Sequence, residues 1–201
     1  MNLTIFDYGA GNLHSLIKTL ERPGICVQVE RDPAVAVTTD ALVLPGVGAF
    51  PAATTALGEQ GVALMRDAIL GGLPTLGICL GMQLLFDASD EGGGSGLQII
   101  AGRVNRLVAA RVPQIGWNQL EPGVNRDPLL DASELGIAYF ANSFVCRPSD
   151  PSVVSAWSTH EQDRFPAMVR VGRCTGVQFH PEKSSTAGVS FMHAWLREVH
   201  P

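Results

Sequence analysis

The stretch GICLG, residues 77–81, sets Cys79 between two glycines at the end of the apolar run that begins at Pro74. This is the G-x-nucleophile-x-G spacing of a strained strand-to-helix turn. Small flanking residues there let the backbone close tightly and hold the nucleophile at the corner. A thiol so placed stands at the carboxyl end of a parallel strand, where clefts form. It also stands at a helix N-terminus, where the dipole favours a thiolate, and the N–H of Leu80 would donate to an oxyanion. Cysteine is also a good small core residue, so the residues that decide between catalyst and packing must lie elsewhere.

They lie in GVQFHPEKS, residues 176–184. A short strand is expected to end in His180, with Pro181 keeping the chain extended. Residues two apart in an extended chain face one side, so the Glu182 carboxylate would orient and charge the His180 imidazole that deprotonates Cys79. Nucleophile, base and orienter are then all present. A loop histidine beside a surface glutamate is the ordinary reading of this pair taken alone. Together with the elbow cysteine, that coincidence is hard to sustain. His-x-Glu also opens the zinc deaminase signature, but no P-C-x-x-C follows. The four cysteines, Cys26, Cys79, Cys146 and Cys174, show no CxxC spacing. Neither a zinc site nor a disulfide scaffold is expected, and neither a metal nor a cofactor is assigned.

A third piece is LPGVGAF, residues 44–50, where glycines follow a strand. Glycine lets peptide N–H groups approach a ligand closely, and the N–H of Val47 is the natural second oxyanion donor. The same residues also make a simple strand-ending turn. A dinucleotide loop is excluded, because G-x-G-x-x-G counted from Gly9 meets His14 and counted from Gly46 meets Pro51.

The elements that must position these residues follow from hydrophobic periodicity. Residues 2–7, 25–30, 41–45 and 74–79 read as buried strands, residues 12–21 and 52–70 as helices, and another helix is expected from Leu80. Strand and helix in alternation predict an α/β fold, with a mostly parallel central sheet flanked by helices. The second half has shorter, more polar strands around residues 103–108, 114–120, 137–144, 152–158, 167–173 and 175–180. They predict an antiparallel or mixed extension, closed by a helix over 188–199. EGGGSG, residues 91–96, reads as a flexible loop inside one domain covering 1–201.

With 46% hydrophobic and 16% charged residues, the chain has the composition of a compact soluble protein. A net charge of −5 without a basic block argues against nucleic acid or an anionic membrane as the main partner. No apolar run reaches the roughly 18 residues of a membrane span. The N-terminus lacks the basic region of a signal peptide, so a cytoplasmic location is expected.

Taken in order, FDYGAGNL, LPGVGAF, LGICLGMQLL, VPQIGWNQL, YFANSF and GVQFHPEKS make the chain resemble the class I, triad-type glutamine amidotransferases over its whole length. Within that class, DYGAGNL and PQIGWN resemble the glutaminase subunits of imidazole glycerol phosphate synthases. The resemblance implies a flavodoxin-like sheet and a Cys79-His180-Glu182 triad that hydrolyses glutamine through a thioester. It further implies that Gly46, Gly48, Gln83 and the segment Asn142-Ser143-Phe144 hold the substrate. Without the family, Gln83 reads as a polar residue on a helix flank. The implied partner is a (β/α)8-barrel cyclase subunit that takes up the ammonia, with Asn12, Trp117, Asn118 and Lys183 at the interface. A core tryptophan and a solvated lysine are the plainer readings of Trp117 and Lys183. Many members carry histidine and tyrosine where this chain has Asn142 and Phe144. Two other readings stand beside this one: a related glutaminase serving a different synthase, and a non-catalytic binding module of the same fold.

Overall fold

The computed structural model describes residues 1–9, 11 and 13–200. In chain order the elements are β1 (Asn2–Phe6), α1 (His14–Leu20), β2 (Cys26–Glu30), α2 (Pro33–Ala36), β3 (Ala41–Leu44), α3 (Phe50–Leu70), β4 (Thr75–Ile78) and α4 (Leu80–Gln83). They continue with β5 (Phe86–Ser89), β6 (Ile100–Arg106), β7 (Gln114–Gln119), β8 (Glu121–Pro122), α5 (Pro128–Ser133), β9 (Ile137–Asn142) and β10 (Phe144–Pro148). The chain ends with β11 (Val154–His160), β12 (Asp163–Val171), β13 (Cys174–Val177) and α6 (Ser185–Val199).

The main sheet has the order β2-β1-β3-β4-β13-β12-β11-β8. Strands β2, β1, β3, β4 and β13 run parallel, and β12, β11 and β8 then alternate antiparallel. The expected architecture is therefore present: an α/β fold whose sheet is parallel in its first half and extended by antiparallel strands. Strands β3, β4 and β13 are buried at every residue, as the central strands of a sheet covered on both faces must be. Alternation along β3 divides the core. Val43 packs with Leu16, Leu20, Phe191 and Trp195 of α1 and α6, while Leu42 and Leu44 pack with Ala36, Phe50, Leu57 and Met65 of α2 and α3.

Several elements differ from expectation. The helix after Cys79 is one turn long, because the following residues through Phe86 are all buried and turn into β5. A segment with no solvent face gives no 3.6-residue stripe to mark where a helix stops. Strands β5, β6 and β10 form a separate small sheet and β7 pairs with β9 in a two-stranded one, so the extension is divided rather than continuous. The short helices α2 and α5 each start at Asp-Pro. Asp32 accepts the N–H of Ala34 and Asp127 that of Leu129, at 2.9 Å each, with proline in the first turn. An oxygen-bearing cap followed by a residue preset to helical φ is a start signal that was there to be read.

Helix α3 is interrupted at Gly58, whose φ of 64° and ψ of 169° suit glycine almost alone. The glycine loop 91–96 is packed down on this helix. Glu91 accepts the N–H of Phe50 at 2.8 Å, and side chains at Gly93 and Gly94 would collide with Pro51 and Thr54. Among the described residues, no helix is long and apolar enough to cross a membrane.

Candidate active site

Cys79 leaves β4 with φ 46° and ψ −100°, a conformation that costs a non-glycine residue roughly 1–3 kcal/mol. The two flanking glycines explain how the chain makes that corner. A Cβ at Gly77 would lie 2.7 Å from the Gly81 carbonyl carbon and oxygen, and one at Gly81 would lie 2.0 Å from the Leu44 oxygen. The turn is anchored on both sides. Cys79 donates its N–H to Val177 of β13 at 2.7 Å, and its carbonyl accepts the N–H of Gln83 at 3.0 Å. With only one helical turn following, little macrodipole is available to the sulfur. At the first helical position the Leu80 N–H has no intrahelical acceptor.

Strand β13 lies beside β4, with Val177 in register with Ile78, so the chain that follows it runs past Cys79. His180 is 3% exposed, donates its N–H to the Tyr139 oxygen at 2.8 Å, and has its ring beside the Cys79 side chain, since one Cβ added at Gly46 would touch both His180 Cε1 and Cys79 Cβ. Its Nδ1 lies 2.8 Å from Glu182 Oε1, which leaves Nε2 for the thiol. The contact is not made by an extended chain. Pro181–Lys183 form a 3-10 turn with proline at its first position, and it is this turn that folds the carboxylate back onto the ring. Ser184 fixes the turn by donating to the His180 oxygen at 2.7 Å and accepting the Tyr139 N–H at 2.8 Å.

Burial alone would lower the imidazole pKa, but Cys79 and Glu182, as acceptors for the ring's protons and as neighbouring negative charges, outweigh it and hold it up at about 10. The arrangement therefore favours an imidazolium between two groups able to carry negative charge. Gly46 presses on this pair from the neighbouring loop: a Cβ there would lie 2.9 Å from His180 Cε1 and 3.0 Å from both Cys79 Cβ and the Ile78 oxygen. The Val47 side chain lies over Gly11, where a Cβ would come within 2.6 Å of it. Gly48 adopts φ 102° and is exposed. A cleft of about 200 Å³ opens here between Leu13, Val47, Glu182 and Lys183.

A group of carboxamides also lies near the sulfur. Gln83 is buried, and its Nε2 donates to the Phe144 carbonyl at 3.1 Å, which Asn142 Nδ2 also reaches at 3.1 Å. The Ser143 carbonyl accepts the Leu107 N–H at 2.9 Å. Gln83, Asn142 and Phe144 thus come together, with their contact made through the Phe144 main chain. Gln178, which the sequence reading passed over, is fully buried with its Nε2 3.4 Å from Cys79 Sγ. A polar residue inside the apolar run VQF, two positions before His180, is the signal that marks it.

The described residues assigned to an interface differ in their surroundings. Trp117 is 52% exposed on the outer face of the β7–β9 ribbon, with Ile115 and Ile137 also exposed there, so it is not a core tryptophan. Its ring meets Tyr139 edge-on at 5.9 Å between centroids. Asn118 turns inward and donates to the Thr159 oxygen at 2.6 Å. Lys183 is exposed beside the triad, and Asn12 lies outside the described residues. Among the described residues, no three His, Cys, Asp or Glu side chains group as a metal site requires.

Comparison with known proteins places the chain in a family. The chain matches the class-I glutamine amidotransferase family over residues 4–197. Imidazole glycerol phosphate synthase subunit HisH of Halalkalibacterium halodurans is 43% identical over 199 residues, covering 94% of this chain and 92% of its own. The HisH subunit of Corynebacterium glutamicum is 39% identical over 209 residues, covering 98% of each chain. Among solved structures, PurLQS from Thermotoga maritima superposes with a TM-score of 0.77 at 19% identity over 98% of both chains. The glutaminase domain of Trypanosoma brucei CTPS with bound acivicin gives 0.64 at 13% identity, over 98% of this chain and 94% of that one. These two structures share the fold.

Proposed function

Because this chain belongs to the class I glutamine amidotransferases and matches HisH subunits over nearly its whole length, we propose that it is the glutaminase subunit of an imidazole glycerol phosphate synthase. The observation that carries the mechanism is the place of His180, whose Nδ1 meets Glu182 Oε1 at 2.8 Å and whose ring stands beside the Cys79 side chain. In the proposed reaction the Cys79 thiolate attacks the side-chain carboxamide of glutamine. The oxyanion is held by the N–H groups of Leu80 and Val47. His180 then gives its proton to the leaving nitrogen, ammonia departs, and a thioester remains on Cys79. Water, deprotonated by His180, releases glutamate and restores the thiol. Glu182 keeps Nδ1 protonated and the ring in place throughout. Gly46, Gly48, Gln83, Asn142, Ser143 and Phe144 are assigned to substrate binding.

The whole chain acts as one glutamine amidotransferase domain in the cytoplasm, with no nucleic acid, membrane or cofactor involved. Ammonia released into water would be protonated and lost as a nucleophile, so the acceptor site must belong to a partner. We assign that role to a (β/α)8-barrel cyclase subunit, in which ammonia joins a ribonucleotide to give imidazole glycerol phosphate and aminoimidazole carboxamide ribonucleotide. The exposed apolar strip of Ile115, Trp117 and Ile137 supports a docking surface there. Its strand β9 also carries Tyr139, whose main chain holds His180 and Ser184. Asn12, Asn118 and Lys183 are assigned to the same interface.

The test is glutamate release from glutamine by the chain alone, with the barrel cyclase, and with the cyclase plus its ribonucleotide. Release that rises steeply only in the last mixture is expected, and Trp117→Ala should weaken that rise. Strong release indifferent to the cyclase would retain the triad but point to another acceptor. No release in any mixture would refute the glutaminase reading.

A further inference from the structure

The triad does not account for every group at the Cys79 sulfur. Gln178 also reaches it, through a chain of hydrogen bonds whose direction is set at its far end. The Phe144 carbonyl is an acceptor only, so the Gln83 atom 3.1 Å from it must be the amide nitrogen. That nitrogen also lies 3.4 Å from Gln178 Oε1. The oxygen of Gln178 is thereby turned toward Gln83, and its NH2 group is left facing Cys79 Sγ at 3.4 Å. Both side chains are buried, Gln178 completely. Burying a primary amide is unfavourable unless its groups are paired, and here the sulfur is what pairs the inner nitrogen.

We propose that Gln178 is a second donor to the nucleophile, an uncharged N–H that Gln83 orients toward the Cys79 sulfur in addition to His180. The inference rests on Cys79 being the nucleophile and adds a residue to its machinery. The two donors serve different steps. His180 must exchange a proton with the leaving nitrogen and then with water, so its bond to sulfur is given up during turnover. A carboxamide exchanges no proton at working pH. It can hold the sulfur while the imidazole serves the leaving group, and again when the thiolate is expelled from the thioester. A glutamine that bonds Gln83 would pull on the same chain, so occupancy of the substrate site would be felt at the sulfur through Gln178.

Two variants of the full chain test this, each with and without the barrel cyclase. Gln178→Glu keeps the shape and replaces the donor with an acceptor, and Gln178→Leu removes polarity. The first readout is alkylation of Cys79 by iodoacetamide against pH, followed on the Cys79 peptide by mass spectrometry. The second is the kcat and KM for glutamine. The expected result is alkylation about tenfold slower at neutral pH in Gln178→Leu, the size of a lost hydrogen bond to a charged group. The rise of the alkylation profile should move to higher pH in Gln178→Leu and further in Gln178→Glu. The kcat should fall in parallel while KM changes less than about twofold. A residue that only fills space would leave Gln178→Glu with the parent profile, and that result overturns the proposal. Melting curves check folding, and Gln178→Met replaces the leucine variant if that one is unfolded. A parent chain that is alkylated at Cys79 but turns over no glutamine would fail the glutaminase reading, and the alkylation profiles would still decide the role of Gln178.

Discussion

Replacing Gly46 by alanine adds one methyl group at the point where the loop after β3 meets the triad. The new carbon would sit 2.9 Å from His180 Cε1, 3.0 Å from Cys79 Cβ and 3.0 Å from the Ile78 oxygen, against 3.4–4 Å for ordinary contact. Something must move by roughly half an ångström. The Ile78 oxygen is backbone in the central sheet, and Cys79 is held at its corner by Val177 and Gln83. The imidazole is the softest of the three, and it moves away from the thiol. A misplacement approaching 1 Å in a catalytic group is worth up to about 100-fold in rate. Overpacking itself costs about 1–3 kcal/mol, or a few degrees of melting temperature per kcal/mol in a chain of this size. The assay is glutamate release at saturating glutamine with the cyclase and its ribonucleotide present, beside a melting curve. We expect kcat to fall between 10- and 100-fold with the fold retained. A Gly46→Ala enzyme within twofold of the parent would refute the tight approach and with it the geometry assigned to the pair. Gly136→Ala is the control, since nothing lies within 4 Å of a Cβ there, and it should be neutral.

Three other outcomes follow. Cys79→Gly should abolish glutamine hydrolysis yet raise stability by about 1 kcal/mol by relieving the positive φ; a lower melting temperature would show that no strain is stored at the elbow. The His180 value is raised from 6.5 to about 10, so its proton stabilises the folded state fully below pH 6.5 and progressively less up to pH 10. Unfolding free energy should accordingly fall across that interval and fall less steeply in Glu182→Gln, and parallel curves would remove Glu182 from the coupling. Asp127 caps α5 through the Leu129 N–H and, with its side chain 1% exposed, pairs at 2.5 Å with Arg170, which also holds Glu198 of α6. Asp127→Ala leaves that guanidinium half-paired and should cost about 3 kcal/mol in urea unfolding, whereas a loss below 1 kcal/mol would make the network ornamental.

The fold class was legible because the central strands are buried on both faces and carry few polar residues, as in Ala41–Leu44 and Thr75–Ile78. The elbow was legible for a steric reason: the two glycines around Cys79 stand where a Cβ would strike backbone. What brings Cys79 beside His180 is strand order. That β13 lies next to β4 depends on packing across the chain, which no local pattern encodes. The adjacency of His180 and Glu182 was expected from an extended chain and is made instead by a 3-10 turn, since proline suits both. Gln178 stayed hidden because one polar residue in a short apolar run reads as an irregularity until its partners Gln83 and Cys79 are known.

Strand β13 is four residues long, comes from the last seventh of the sequence, and is the single strand joining β4 on one side to β12 on the other. While a ribosome is still making this protein, strands β1 to β4 of the parallel half and β8, β11 and β12 of the antiparallel half have emerged before the piece that unites them, and α6 is still to come. Each half waits with an open sheet edge, a state in which strands are prone to pair wrongly. Closing so distant a contact is slow, but the same closure sets His180 beside Cys79. On the proposed triad the thiol has no base until the sheet is finished, and unfinished chains would not squander glutamine.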